Sequence, residues 1–412
     1  MDITIRSGDF SAIKSSYKVN SSKSVTHRAL ICAAFSDLPT KIICNGYGED
    51  VLYTVEALRT LGADIEAAEY GFFVRPVIRE FIPLEPENNA DGEEFDDTRG
   101  IHKLAAVPEG TKVVIDCGAS ASTYRFMDEI CKELGIEYEL TGTPRLLERV
   151  HSTKFTSQTM SGMIMALGLR PGLEELEVEC PSFMPSQPYV GLTMKVIDDF
   201  GCSGYESPGK YEVEGDWSQA AYYMSIGATN CDERIGELLI GGKPVRITDL
   251  DTESVQGDRE FVEILRKFGA VIVTSGNAVS VKPSRLTGTN IDMLYTPDLM
   301  PITAIVAAQA KGDSILRNVG HLKYKESDRV AATINMVNAL GGKAELGSDG
   351  NSIIIHGLGD KLSGGTVESY NDHRIAMAGA AAAFGSYGEV VIKDAECVVK
   401  SCPGFWEELG IQ

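Results

Sequence analysis

Six times along this chain a helix-like pattern ends in an apolar residue plus glycine, and a strand-like pattern follows. The pairs are Leu61-Gly62, Leu134-Gly135, Phe200-Gly201, Phe268-Gly269, Leu340-Gly341 and Leu409-Gly410. Glycine fits the left-handed C′ position that closes a helix. Copies recurring about every 70 residues imply a repeated supersecondary unit. Within a unit, residues 261–268 read as a helix, and 270–274 and 278–282 as strands around the turn Ser275-Gly276-Asn277. Residues 344–346 and 352–356 repeat that hairpin around Ser348-Asp349-Gly350. Helix, strand, turn, strand predicts an α/β chain of mixed sheets with helices packed on one face.

The composition bounds the partners. A net charge of −21 over 412 residues argues against nucleic acid and anionic membranes, so any anionic ligand needs a local exception to the field. No apolar run reaches a membrane span, and Met1-Asp2-Ile3-Thr4-Ile5 begins in strand-like alternation without a leader pattern. A cytoplasmic protein with reduced, mostly buried thiols is expected: the nine cysteines show no C-x-x-C and no metal spacing. No G-x-G-x-x-G follows a strand. The stretch from Gly236 to Lys243 misses the phosphate-loop spacing and continues into Pro244. No cofactor is indicated. Residues 83–100 crowd acidic side chains into a Pro- and Asn-containing stretch, which reads as a solvated loop.

Candidate chemistry sits at helix starts. Asn20-Ser21-Ser22-Lys23-Ser24-Val25-Thr26-His27-Arg28 leads into an Ala-rich helix over 25–35, with Ser24 a plausible cap, Ser22 or Thr26 serving if the start slips by a turn, Lys23 just before the start and Arg28 on the same face. That arrangement can hold a phosphate or carboxylate; a capped surface helix with two solvated charges is the plain alternative. The small-residue run Gly118-Ala119-Ser120-Ala121-Ser122 passes from a strand to a helix carrying Arg125. Arg145 sits on a turn, and Thr156-Ser157-Gln158 and Ser186-Gln187-Pro188-Tyr189 precede apolar helices. Asp298 precedes another, and His321 to Arg329 opens a charged one. There Lys325/Asp328 and Glu326/Arg329 are spaced as solvated ion pairs. Arg374, after Asn371-Asp372-His373, opposes the helix dipole and needs an anion, either Asp372 or a ligand. Lys400 follows Val398-Val399 at an expected strand end.

Taken in order, these runs resemble the EPSP synthase family, the 3-phosphoshikimate 1-carboxyvinyltransferases. The matching pieces are Ser22-Lys23-Ser24 with Arg28-Ala29-Leu30, Thr141-Gly142 with Pro144-Arg145, Ser157-Gln158, Pro188-Tyr189, Gln256-Gly257-Asp258, Lys325-Glu326-Ser327-Asp328-Arg329, Asn371-Asp372-His373-Arg374 and Lys400. The resemblance implies two domains of βαβαββ units, an inside-out α/β barrel. Residues 20–213 would form the first domain and 1–19 plus 214–412 the second, with the active site in the cleft. It implies transfer of the enolpyruvyl group of phosphoenolpyruvate to the 5-hydroxyl of shikimate 3-phosphate, on the route to chorismate and the aromatic amino acids, by a cytoplasmic monomer that uses neither metal nor cofactor.

Carried over by position, shikimate 3-phosphate would meet Lys23, Ser24, Arg28, Thr156, Ser157, Gln158, Ser186, Tyr189, Asp298, His321 and Lys325. Phosphoenolpyruvate would meet Lys23, Ala121, Arg125, Arg145, Gln158, Arg329, Arg374 and Lys400. Asp298 would be the base at the hydroxyl, and Glu326, assisted by Lys23, the proton shuttle to carbon. Three departures stand out. The family's small-residue loop reads Gly-Asn-Ala-Gly-Thr; here Ala119 removes an amide and Ala121 adds a methyl, which predicts weaker phosphoenolpyruvate affinity and tolerance to glyphosate. Most of one unit in the first domain is missing between Arg149 and Phe155. His321 replaces a usual Asn, and Asn20-Ser21 a usual Pro-Gly. Two rivals remain. One is UDP-N-acetylglucosamine enolpyruvyl transferase, which begins with Lys-Asn and places a Cys near Arg145, where this chain has Lys23-Ser24 and no Cys in 142–149. The other is a non-catalytic binding homologue.

Overall fold

The computed structural model describes residues 1–6, 13–83, 100–153, 155–173, 181, 183–231, 233–235 and 238–411. The acidic stretch singled out in the sequence lies, from 84 to 99, outside them. The chain divides into two compact units: an inserted one, Ser21–Val213, and a flanking one, Met1–Asn20 with Glu214–Gln412. Each buries its own hydrophobic cluster.

Among the described residues the inserted unit carries six helices: α1 (Lys23–Ala34), α2 (Glu49–Thr60), α3 (Ala121–Glu133), α4 (Pro144–Ser152), α5 (Ser157–Leu167) and α6 (Pro188–Asp198). Its larger sheet pairs Lys210–Glu212 in parallel with Thr40–Ile43, which runs antiparallel to Gly71–Arg75 and through it to Asp64–Ala68. α1 buries Val25 to Ala34 in a cluster with Phe72, Phe126, Ile164 and Phe200. Burying each such side chain contributes about 1.5–3 kcal/mol, which lets a 12-residue helix form where it is marginal alone.

The flanking unit holds α7 (Trp217–Thr229), α8 (Phe261–Lys267), α9 (Met300–Gln309), α10 (Arg329–Ala339), α11 (His373–Ala383) and α12 (Phe405–Glu408). Its sheets repeat the topology of the inserted one. Ser16–Lys18 lies parallel to Val245–Thr248, followed by antiparallel Ala278–Lys282 and Val271–Ser275. Asn290–Asp292 lies parallel to Lys311–Arg317, followed by antiparallel Ser352–Leu358 and Ala344–Leu346. A third sheet pairs Gly365–Glu368 in parallel with Val390–Lys393 and closes with antiparallel Ile3–Ile5. Every residue of α7, α9 and α11 is buried; helices apolar on all sides belong inside a core.

All six glycines of the sequence rhythm have positive φ, from +65° at Gly135 to +105° at Gly62. Gly62, Gly269 and Gly341 each precede the first strand of an antiparallel hairpin. Gly135 instead leads into Tyr138–Thr141, which pairs in parallel with Val113–Asp116. Among the described residues that sheet stops at two strands, and the chain passes through α4 and α5 without the hairpin that completes the other units.

Local expectations shift in three places. α1 starts at Lys23, not at Val25, with Ser22 in the cap position. The reason lies upstream: Ser21 and Asn45 exchange backbone and side-chain hydrogen bonds of 3.0–3.2 Å, so the chain is anchored before Ser22 turns into the helix. Arg145 lies in the first turn of α4, whose cap is Thr143 and whose N1 residue is Pro144. Lys400 ends a 3-10 turn, Ala395–Lys400, after the strand has stopped at Lys393.

Candidate active site

In the flanking unit, Arg329 organises the site. It stands at the first position of α10, 1% exposed, where Asp328 caps the helix by accepting from the Ala331 amide. Its Nε and Nη2 meet Asp372 at 2.9 and 3.2 Å, Nη1 meets Asp298 at 2.9 Å, and Nη2 meets Glu326 at 2.7 Å. Asp372 caps α11 through the Arg374 amide (3.0 Å) and accepts from the Ser327 hydroxyl. Arg374 Nη2 donates to the other Asp298 oxygen at 2.9 Å. Lys325 Nζ lies 3.9 Å from Asp298, and Lys400 Nζ 3.8 Å from Glu326. Four cations thus gather around three carboxylates, an excess of one positive charge inside an acidic protein. Such a cluster is a local exception to the overall field, and low dielectric strengthens it.

These contacts replace the solvated helix face expected from the i, i+3 spacing. Lys325 turns to Asp298 rather than Asp328. The Glu326–Arg329 pair forms, but it is buried. Arg374 takes Asp298 as its side-chain partner while Asp372 accepts its backbone amide. Burial alone would raise the Asp298 carboxyl; Arg374, Lys325 and Arg329 outweigh it and hold the group well below the usual carboxylate range. Asp372 is lowered too, Arg329 overcoming burial. His321, half-buried on the 3-10 turn Gly320–Tyr324, is pushed down to about 4 by burial and by Lys325, so it is neutral. Sequence reasoning missed Asp258. It is buried, bonded through one oxygen to the Ser218 hydroxyl, and its Oδ1 has no partner among the described residues. Burial and Asp298 raise it to about 7. Its place in Gln256-Gly257-Asp258 was the available signal.

In the inserted unit, Lys23 sits at the first position of α1 and pairs with Asp50 of α2 at 2.8 Å, a partner the sequence did not reveal. Arg28 is 2% exposed and uses four of its five N–H groups: it donates to Thr193 (2.7 Å), the Ser24 carbonyl (2.7 Å), Ser161 (3.2 Å) and the Tyr189 carbonyl (3.2 Å), over the Phe126 ring. It ties α1 to α5 and α6. Arg125 donates to Gln158 (2.8 Å) and Thr153 (2.6 Å), and Gln158 donates to Ser122 (2.9 Å), which joins the start of α5 to the small-residue turn. Thr156 caps α5 in a reciprocal box with Thr159; Ser157 follows at N1. Ser186 is buried at φ +62° and its carbonyl receives the Tyr189 amide. Ala121 is the buried first residue of α3. Arg145 is half-exposed and pairs with Glu148 at 3.0 Å along α4.

The architecture defines the class: this is the enolpyruvyl transferase fold. A solved EPSP synthase from Acinetobacter baumannii superposes with a TM-score of 0.68 at 21% identity, over 96% of this chain and 94% of that one. The enolpyruvyl transferase NikO from Streptomyces tendae gives 0.66 at 13% identity, over 100% and 98%. The chain belongs to the family EPSP synthase (3-phosphoshikimate 1-carboxyvinyltransferase), whose profile matches residues 9–89 and 150–409. Curated 3-phosphoshikimate 1-carboxyvinyltransferases from Clostridium kluyveri and Dehalococcoides mccartyi are each 31% identical over 95% of this chain, and cover 93% and 94% of those relatives. The unmatched residues 90–149 hold the small-residue turn, Arg125 and Arg145.

Proposed function

We propose that the chain transfers the enolpyruvyl group of phosphoenolpyruvate to the 5-hydroxyl of shikimate 3-phosphate and releases inorganic phosphate. The carrying observation is the Arg329 cluster, which brings the candidate base Asp298 and the candidate shuttle Glu326 onto one guanidinium beside Lys325, Arg374 and Lys400. Family membership supports the same reading.

The resting geometry gives each group a task. Asp298 gripped by Arg329 and Arg374 is a poor base. An anionic donor that engages Arg374, Arg329 and Lys400 draws those cations away, so Asp298 becomes able to accept the 5-hydroxyl proton as the oxygen bonds to C2 of the donor. C3 gains a proton in the same addition through Glu326, which is ionised against Arg329 in the resting site and would first take that proton up from solvent as the donor draws the cations away, with Lys23 assisting. Loss of a C3 proton then breaks the C2–O bond to phosphate and restores the vinyl group. The acceptor would be held by Ser24, Thr156, Ser157, Gln158, Ser186, Tyr189, His321 and Lys325, and the donor additionally by Arg125, Arg145 and the turn at Ala121. Arg28, with four of its five N–H groups on protein acceptors, would act on the acceptor through α5 and α6 and through the remaining Nη1 hydrogen. The protein would work as a cytoplasmic monomer without metal or cofactor.

The test is phosphate release from phosphoenolpyruvate with shikimate 3-phosphate, run in parallel with UDP-N-acetylglucosamine. Release with the shikimate ester alone supports the reading. Release only with the nucleotide sugar overturns it in favour of the sister activity. Binding without release supports a non-catalytic homologue, the reading that Ala119, Ala121 and the incomplete sheet favour.

A further inference from the structure

Four buried side chains of the inserted unit form one line of hydrogen bonds: His27 Nδ1 to Thr54 Oγ1 at 2.7 Å, Thr54 to Thr123 Oγ1 at 2.7 Å, and Thr123 to Ser120 Oγ at 2.8 Å. Ser120 also accepts the Thr123 amide and so caps α3. Each hydroxyl owns one proton, and Thr123 can place its own on Ser120 at 2.8 Å or on the Asp50 carbonyl at 3.4 Å; either choice leaves it to accept from Thr54. If Thr123 donates to Ser120, Thr54 donates to Thr123, and His27 donates from Nδ1. The reverse direction would place the imidazole proton on Nε2, which is buried with no partner among the described residues. A buried orphan N–H is rarer than an orphan acceptor, so His27 is the neutral Nδ1–H form. Burial, with Lys23 and Arg28 working against Asp50, lowers it to about 3, in keeping with a neutral ring.

The line joins two places the proposed function uses. His27 lies between Lys23 and Arg28 on α1. Ser120 lies in the turn that ends at Ala121 and Ser122. α2 holds both: Asp50 pairs with Lys23, Thr54 carries the hydroxyl, and Tyr53 covers Gly118, where a Cβ would stand 2.0 Å from the ring. At this turn Ala119 provides no side-chain amide.

We propose that His27, Thr54, Thr123 and Ser120 are positioning residues that fix the 118–122 turn against Lys23 and thereby set the affinity for phosphoenolpyruvate. The inference rests on the functional reading above.

Thr54→Val removes the central hydroxyl while keeping the shape, and Thr54→Ser restores it. In T54V, without substrates, the His27 imidazole ¹⁵N signals are expected to leave the Nδ1–H pattern, and amide exchange over residues 117–123 to quicken about tenfold, the scale of one lost hydrogen bond. With substrates, KM for phosphoenolpyruvate is expected to rise about tenfold while kcat and KM for shikimate 3-phosphate stay within about twofold. T54S is expected to match the wild type throughout. Unchanged turn exchange, or unchanged KM for phosphoenolpyruvate, overturns the proposal. If T54V does not fold, Ser120→Ala carries the same exchange and KM expectations. A wild type that releases no phosphate defeats the functional reading; the imidazole and exchange measurements still decide whether the line holds the turn.

Discussion

The two units handle polarity in opposite ways. In the flanking unit, charge holds the site: Arg329 bonds three carboxylates, and Arg374 shares one of them. In the inserted unit a histidine, hydroxyls and an amide link α1, α2, α3 and α5, and Lys23 pairs with Asp50. Charge contacts are strong but reorganise when a charged ligand arrives; a line of hydroxyls is weaker but holds its shape with or without one. The Arg329 cluster is therefore held by contacts that an anion would rearrange, and the hydroxyl line by contacts that one would leave in place.

The contrast breaks most readily at Arg329. Arg329→Leu leaves Asp298, Glu326 and Asp372 without their shared partner and is expected to cost the flanking unit about 3–5 kcal/mol, measured by denaturant unfolding. A loss under 1 kcal/mol would mean that the cluster is not held by charge. Next comes Asp298→Asn, which is expected to lower kcat by about 10²–10⁴, since it removes the candidate base. Gly118→Ala comes third. Its methyl would meet the Tyr53 ring at φ +53°, and KM for phosphoenolpyruvate should rise more than in T54V.

Acid and base sharpen the comparison further. Asp258 has a raised folded pKa of about 7, so between about pH 4 and that value the unfolded chain gives up this proton first, and stability falls as pH rises. His27 is lowered to about 3, so below its usual value near 6.5 the unfolded chain takes up a proton first, and stability falls as pH drops. Asp258→Asn should therefore remove a loss on the alkaline side and His27→Gln a loss on the acid side, read from unfolding midpoints across pH 4–7. Equal slopes in the two variants would erase the distinction. The smallest expected effect is at the turn itself. Ala121→Gly is expected to lower KM for phosphoenolpyruvate severalfold and to increase inhibition by glyphosate; strong micromolar inhibition of the wild type would contradict the premise.

The repeat was legible because its signal is local. A glycine closing each helix writes its backbone requirement into the sequence, and all six showed the positive φ they implied. The partners of the charged residues were not legible in the same way. Spacing of three offered Asp328 to Lys325, but Asp298, far away along the chain, is the carboxylate beside it. The hydroxyl line was invisible for the same reason: Thr54 and Thr123 are 69 positions apart, and Ser and Thr at helix starts already have an explanation as caps. The family motifs marked Asp258 and Arg28 without revealing that one has an unpartnered oxygen among the described residues and the other four protein acceptors.

The sheet that pairs Ile3–Ile5 with Val390–Lys393 has a consequence during synthesis. Growth proceeds from the N-terminus, so the inserted unit has all its strands once Glu212 has emerged from the ribosome. Strand Ile3–Ile5 must wait until Val390–Lys393 has been made before its neighbour exists. Domains generally fold as units in the order they emerge; here a segment made before the inserted unit finds its place only after it, and the nascent flanking half must keep an unpaired edge from aggregating until then.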